Sequence, residues 1–390
     1  MATRRMFKFR IYPNKEQRIN IDRTFDICRK TYNALREYKI ETYNQTKKGL
    51  SKFDLNGCVK QLKIERNEMS GVHSQVLQNT SDRLTKAFNN MFFRIKRGEK
   101  AGFPRFKQKH KYHSFCYPDS GFNIKNKDTS KKKNKLLYLS KIGTMPIKQH
   151  RDFDDIKKKR KLISIKALTI LKVPSGKYFA SFSCVMKIKT EVKKLNLNNA
   201  IGLDVGLKTY ITANNSESIA NPRYYRKSQK RLAHLQRRTS RKKFLCGNWS
   251  KSKIKVARLH ERTANQRMDF SHKLTTEITN KYSFIGVESL NIKGMVRNHN
   301  LSKSILDAGW GMSISQLHYK VSNTGGVVQK IDRFYPSSKT CSKCGHIQDM
   351  PLEKRTYNCG GCGFSIDRDL NASINIKNEA LRTYLDTVGI

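Results

Sequence analysis

Ile201-Gly202-Leu203-Asp204-Val205-Gly206-Leu207-Lys208-Thr209-Tyr210-Ile211-Thr212 is the segment from which the rest of this chain is best read. It has the texture of a short apolar β-strand, with one carboxylate in its middle and glycine two residues to either side. An unpaired carboxylate is costly to bury in such a strand, and a divalent metal ion is the obvious compensating partner. The pattern returns as Phe284-Ile285-Gly286-Val287-Glu288-Ser289-Leu290, with Glu288 in place of the aspartate. A third carboxylate, Asp369, stands in Asp367-Arg368-Asp369-Leu370-Asn371-Ala372, just beyond a cluster of four cysteines.

Brought together by folding, these acids would suit phosphodiester cleavage. Two Mg²⁺ ions about 4 Å apart activate an attacking water and stabilise the leaving oxygen, and hard oxygen ligands hold such ions. Each acid also has a plainer reading. Asp369 alone is commonly a helix N-cap, and Glu288 alone could be an edge-strand glutamate with a lysine partner. In a chain with so few acids, two in the middle of glycine-marked apolar strands favour the joint reading. Asn371, two residues from Asp369, could position a ligand water. Spacing alone does not choose between Asp367 and Asp369. No Ser/His/Asp or Cys/His constellation competes, and no phosphate-cradling glycine-rich loop or Walker motif is present.

Composition points to the same partner. Lys and Arg total 80 against 30 Asp and Glu, a formal charge of +50 over 390 residues. A globular chain so charged repels itself unless a polyanion neutralises it, which implies nucleic acid. The charge runs along the whole length, unlike that of a disordered basic tail. The hydrophobic fraction of 37% is sufficient for cores, and the length suggests two or three domains. No apolar run approaches the ~20 residues of a spanning helix, and no signal-peptide core follows Met1. The expectation is a soluble, intracellular, cytoplasmic protein with no membrane partner.

Four of the nine cysteines form Cys341-x-x-Cys344 and Cys359-x-x-Cys362. Such paired knuckles are a zinc ribbon signature, because each turn points two thiolates at one tetrahedral ion. Four thiolates leave no open position for water, so the expected Zn²⁺ is structural. Gly345, Gly360, Gly361 and Gly363 supply the tight turns. Cys28, Cys58, Cys116, Cys184 and Cys246 are scattered and odd in number, which fits reduced thiols rather than disulfides.

Taken in order, Phe7-Lys8-Phe9-Arg10-Ile11-Tyr12 alternates as a half-buried strand does, and Pro13 ends it. From Lys15 the period becomes helical, with Phe25, Cys28, Tyr32 and Leu35 on one stripe. A second helix is expected over Phe53 to Met69, and a third along Leu77, Leu84, Phe88, Met91 and Ile95. Residues 14–97 thus read as a helical domain inserted after the first strand. Next comes a basic boundary, Lys96 to Lys107, where Phe103, Phe106 and the nearby Tyr112 could stack on bases while cations meet phosphates. A solvated linker is the plainer reading of it. Strand-like segments at Ser114–Tyr117, Phe122–Ile124, Leu136–Leu139, Ile163–Leu171 and Tyr178–Ile188 predict a small β-barrel completed by the first strand. Ser175-Gly176 would turn between the last two. The runs Lys131-Lys132-Lys133 and Lys157-Lys158-Lys159-Arg160-Lys161 fall in loops suited to phosphate contact.

From Asn199 the texture is that of an α/β domain. Thr209 to Ala213 should return as a hairpin beside the Asp204 strand. Between Arg226 and Thr279 two very basic helices, separated by a loop around Gly247-Asn248, would make a backbone rail for a duplex. A helix near Ile305–Val321, a strand near Val327–Arg333 and a final helix from Asp369 to about Tyr384 complete the chain.

Gly202-Leu203-Asp204-Val205-Gly206-Leu207-Lys208, Gly286-Val287-Glu288-Ser289-Leu290-Asn291 and Asp367-Arg368-Asp369-Leu370-Asn371-Ala372 resemble the three split RuvC motifs of the TnpB proteins. These are encoded by insertion sequences and are similar to ancestors of the type V CRISPR nucleases. The likeness extends to Lys293-Gly294-Met295, Asp307-Ala308-Gly309-Trp310-Gly311 and Asp332-Arg333-Phe334-Tyr335-Pro336-Ser337-Ser338-Lys339-Thr340-Cys341. It continues more weakly to Lys8-Phe9-Arg10-Ile11-Tyr12-Pro13 and Pro104-Arg105-Phe106. The resemblance, not the spacing, places the third ligand at Asp369, two residues before the asparagine. It implies an α+β multidomain protein: a wedge-type β-barrel (1–13 and 98–196), an inserted helical recognition domain (14–97), and an RNase H-like RuvC α/β domain (197–390) with a zinc ribbon insertion (338–366). It also implies an RNA-guided DNA endonuclease that carries a transposon-derived guide RNA and cleaves double-stranded DNA beside a short flanking motif. Base pairing then supplies specificity while the protein supplies charge, shape recognition and the cut. The alternatives are a nuclease-inactive nucleic-acid-binding regulator and a protein-only RuvC-type resolvase. The intact acids argue against the first, and the long N-terminal half against the second. The polar insert Asn126–Asn134 is the least familiar stretch.

Overall fold

Phe7, Phe9 and Ile11 are buried while Lys8 is exposed, so the two-residue period of the first strand is realised as read. A computed structural model describes residues 2–126, 135–153, 156, 162–187, 196–351 and 353–389. The Lys131–Lys133 and Lys157–Lys161 runs and nearly all of the polar insert lie outside the described residues. The chain forms two units, Met1–Ile188 and Lys189–Ile390.

In the first unit, β1 (Ala2–Ile11) leads into α1 (Lys15–Thr46), α2 (Lys52–Glu65) and α3 (Ser74–Lys96). Asn14 and Ser51 open α1 and α2 with capping boxes, closed by Gln17 and Asp54, that satisfy otherwise orphaned backbone donors. The second helix stops earlier than the expected Met69 and passes into a 3-10 turn over Asn67–Gly71. The strands β2 (Ser114–Pro118), β3 (Phe122–Asn126), β4 (Lys135–Leu139), β5 (Gly143–Lys148), β6 (Leu162–Lys172) and β7 (Tyr178–Lys187) follow. With β1 they form one sheet, in the order β2-β6-β7-β1-β5-β4-β3. The edge strands β2 and β3 are consecutive, joined only through residues 119–121, and the sheet is nearly closed into a barrel. Strand β5 is an addition to the sequence reading. Proline is uncommon inside a sheet because it lacks an N–H, yet the Pro146 carbonyl accepts from the Tyr12 N–H at 3.0 Å. The helices and the barrel share one hydrophobic core, in which the rings of Phe25 and Phe115 lie 5.3 Å apart.

The second unit contains β8 (Ala200–Val205), β9 (Thr209–Ala213) and β10 (Ser218–Ala220), then α4 (Tyr224–Ser240) and α5 (Gly247–Lys281). After β11 (Phe284–Glu288) come α6 (Ile292–Met295), α7 (Ser302–Ala308), α8 (Trp310–Ser322) and β12 (Val327–Ile331). The short strands β13 (Thr356–Asn358) and β14 (Ser365–Asp367) precede α9 (Arg368–Val388). The main sheet has the order β10-β9-β8-β11-β12. β8, β11 and β12 are parallel, while β9 and β10 run antiparallel by hairpins. The hairpin pairs Asp204 with Thr212, as expected. Two details differ from expectation. Gly247 and Asn248 open α5 instead of separating it from α4. The single helix read over 305–321 is broken at Gly309, whose φ of 69° ends α7 in the left-handed region that favours glycine.

Candidate functional site

The glycines two residues before Asp204 and Glu288 are adjacent partners across the parallel pair of strands: Gly202 faces Gly286 in register. Side chains two apart in a strand share a face, so the glycines mark the face on which both acids project. That face is covered by α9. A Cβ at Gly202 would come within 2.1 Å of the Ser373 carbonyl oxygen, and one at Gly286 within 2.8 Å of the Ala380 Cβ. The helix therefore rests directly on strand backbone, and its first turn carries Asp369 to the ends of the two strands. The contact requires two glycines, and both are present.

Asp204, Glu288 and Asp369 line one cleft of about 740 Å³ in this unit. The other charged side chains on its walls are mainly basic: Lys208, Arg223, Arg226, Lys303, Arg355 and Arg368. Burial, followed by the charges of Glu288 and Asp369, pushes the Asp204 carboxyl up to about 8. Carboxylate oxygens are the hard donors that a divalent cation takes, so acids lining one cleft could hold one. Asp367, the other candidate for the third acid, is committed elsewhere. Its carboxylate caps α9 by accepting from the N–H groups of Asp369 and Leu370, at 2.9 and 3.0 Å. The N-cap reading of Asp369 thus belongs to Asp367.

Asn371 is not among the residues lining the cleft. It is fully buried, its Nδ2 donates to the Thr340 carbonyl at 2.7 Å, and its Oδ1 accepts from the Ser342 N–H at 2.9 Å. Instead of positioning a water beside the acids, its amide ties α9 to the first cysteine knuckle. The sequence reading did not single out Asp307, a fourth acid on the cleft wall. Both its oxygens accept from the Tyr225 N–H, at 3.0 and 2.9 Å, at the start of α4. Arg223 precedes that helix with φ 49° and no side-chain cap of its own. Asp307 supplies the missing cap from α7. An acid beside Ile305 and Ala308 on a short helix was the available signal.

The four cysteines converge as read, with Sγ atoms within 4.8 Å of one another. Cys341 and Cys362 are 3.8 Å apart and Cys344 and Cys359 3.6 Å. A Zn–S bond of about 2.3 Å implies a tetrahedral S···S edge of about 3.8 Å, so the set fits zinc. The knuckles are built alike. Gly345 donates to the Cys341 carbonyl and Gly363 to that of Cys359, each at 3.0 Å with positive φ. Chelation of the metal is expected to release this segment, because structural zinc sites contribute folding energy outright. Limited trypsin digestion should then cut at Lys354 and Arg355, which the metal-loaded protein should resist, as read by mass spectrometry.

Comparison with known proteins gives three matching family models. Residues 183–299 match one described as "Probable transposase" (OrfB_IS605), and residues 310–376 match "Cas12f1-like, TNB domain". A Streptomyces pristinaespiralis protein, named for a proposed RNA-guided DNA endonuclease activity, is 30% identical over 380 residues, 96% of this chain and 88% of its own length. The chain belongs to the TnpB family. The Escherichia coli (strain K12) protein InsQ, named for the same proposed activity, is 28% identical across 95% of this TnpB-family chain and 90% of its own. Among solved structures, a Cas12f1 complex with guide RNA and target DNA shares the fold at 14% identity. Its TM-score is 0.60, over 97% of this chain and 99% of that one. A third family model, "Helix-turn-helix domain", matches residues 1–48. In this TnpB-family protein that segment is β1 followed by the single 32-residue helix α1.

Proposed function

We propose that the protein is an RNA-guided DNA endonuclease whose cutting site is the cleft at Asp204, Glu288 and Asp369. The observation that carries this reading is the convergence of those three acids, from two strands and a helix, in one cleft whose other charged side chains are mainly basic. The strand order β10-β9-β8-β11-β12, with the acids at the ends of β8 and β11, supports an RNase H-like RuvC domain. Residues 14–97 would then serve as the recognition domain and residues 1–13 with 98–196 as the wedge barrel. The knuckles at 338–366 form the zinc ribbon insertion. The names of the relatives support a guide RNA and a DNA target, which we take to be double-stranded.

Asp204, Glu288 and Asp369 would hold Mg²⁺, which when bound supplies an activated water and charge neutralisation at the leaving oxygen. The chain's own residues do the rest. Lys208, Arg223, Arg226 and Lys303 draw a phosphate backbone to the acids, which alone would repel it. The barrel and basic helices bind both nucleic acids through charge and shape, leaving sequence choice to base pairing.

The test is to purify the protein from cells expressing its own genetic locus and to sequence the RNA that accompanies it. A discrete RNA species is expected, and ribonuclease treatment should remove both the RNA and the DNA-cleaving activity. Cleavage that survives complete RNA removal would instead support the protein-only resolvase.

A further inference from the structure

We propose that Ser337 is a positioning residue for Glu288, fixed by the two asparagines of α9 that also anchor the first cysteine knuckle. The inference rests on the metal-site reading above and names a residue that reading does not include. Ser337 is 5% exposed and lines the cleft. Its Oγ donates to Glu288 Oε1 at 2.8 Å. Glu288 ends its strand, so its side chain needs an outside partner to select one rotamer. The hydroxyl claims one oxygen and leaves the remaining lone pairs of the carboxylate for a cation.

The serine is itself held from beneath. Asn375 Nδ2 donates to the carbonyls of Ser337 and Thr340 at 2.8 and 2.6 Å. One turn earlier, Asn371 grips Thr340 and Ser342. Between these holds the chain closes on itself, with the Lys339 and Thr340 N–H groups both donating to the Pro336 carbonyl. Two buried asparagines on one helix face are unfavourable unless their amides are partnered. Here they are partnered by the one segment that runs from Glu288's donor into Cys341. The Pro336-Ser337-Ser338-Lys339-Thr340-Cys341 motif thereby joins the acids to the zinc knuckle through a rigid bracket. Partners that orient metal ligands in this way typically govern affinity by 10–100-fold.

The experiment compares the full-length wild type with Ser337→Ala, Ser337→Thr and Asp204→Ala. Thermal unfolding is followed as Mg²⁺ is titrated, with zinc content and metal-free Tm measured in parallel. Ser337→Ala should raise the Mg²⁺ midpoint about ten-fold, leave zinc content and metal-free Tm unchanged, and lower cleavage at limiting Mg²⁺. Ser337→Thr, which keeps the hydroxyl, should return the midpoint to within about two-fold of wild type. An unchanged midpoint in Ser337→Ala overturns the proposal. So does a raised midpoint accompanied by lost zinc or a lowered metal-free Tm, or one that threonine fails to restore, since each marks a merely structural serine. If the wild type shows no Mg²⁺ response that Asp204→Ala abolishes, the metal-site reading itself falls, and the positioning role with it.

Discussion

Asp204→Ala is expected to abolish Mg²⁺-dependent DNA cleavage, by at least about a thousand-fold, while leaving guide RNA binding unchanged. On the proposed site, a bound metal would supply several kcal/mol of transition-state stabilisation, and about 4 kcal/mol is a factor of about a thousand. Cleavage assays on the purified complex read the first effect, and retention of the copurified RNA reads the second. A regulator that uses the fold only as scaffold would be indifferent to the change. The same aspartate makes a stability prediction. Burial, then the charges of Glu288 and Asp369, raise its carboxyl to about 8 in the folded chain, far above the ordinary carboxylate value of about 3.9. A raised value favours the protonated folded form. The resulting stability is full at low pH and is lost as pH rises toward and through 8. Without divalent metal, Tm should therefore fall across that window, and Mg²⁺ should restore it. Asp204→Asn should flatten the pH dependence and raise the metal-free Tm at neutral pH by about 2–4 °C, the shift that about 1 kcal/mol produces in a domain of this size. A wild-type protein whose Tm is flat from pH 5 to 8 without metal would overturn the electrostatic account.

Gly202→Ala should cripple the same unit without touching a charge. The added methyl meets the Ser373 carbonyl oxygen at 2.1 Å and the Lys377 nitrogen at 2.6 Å. Both are backbone atoms of α9, so the helix must lift. Overpacking of this kind costs about 1–3 kcal/mol or more, a Tm loss of about 2–12 °C on the same scale. Cleavage should be lost as well, because the first turn of the displaced helix holds Asp369. Gly286→Ala offers the control. Its nearest clash is the Ala380 Cβ at 2.8 Å, a side-chain atom that Ala380→Gly removes. The double substitution should recover part of the lost Tm, less about 1 kcal/mol for glycine within a helix. Gly202→Ala with wild-type Tm and activity would mean that the helix does not rest on the sheet as described.

These two cases also show what could be read in advance. Asp204 and Glu288 were legible because each breaks a rule locally: a charge inside an apolar strand, with a glycine on the same face. The cysteine knuckles were legible because zinc imposes a short, fixed spacing on its ligands. The strand over Phe7–Ile11, the existence of the first unit's three long helices and most barrel strands followed from periodicity alone. Strand Gly143–Lys148 did not, since Pro146 is an ordinary strand breaker and only its neighbours across the sheet accommodate it. The contacts of Asp307, Asn371 and Ser337 were not legible, for another reason. Each acts through a partner remote in sequence: Tyr225, the knuckle backbone and Glu288, respectively. Which of Asp367 and Asp369 faces the cleft is likewise decided by which one the helix terminus claims.

The third acid of the cleft arrives on α9, downstream of every strand of the main sheet. A chain growing from its N-terminus displays Asp204 and Glu288 together once β8 and β11 have paired, while α9 is still to be synthesised. At about 5–20 residues per second, the roughly 80 residues separating Glu288 from Asp369 take about 4–16 s to emerge. Throughout that interval the ribosome-bound intermediate lacks one of the three proposed ligands. Since the same helix seals the glycine face, the sheet gains its covering layer and, on the proposed site, its third ligand at one moment. On the proposed site, a nascent form able to damage nucleic acid before it can be directed is thereby avoided.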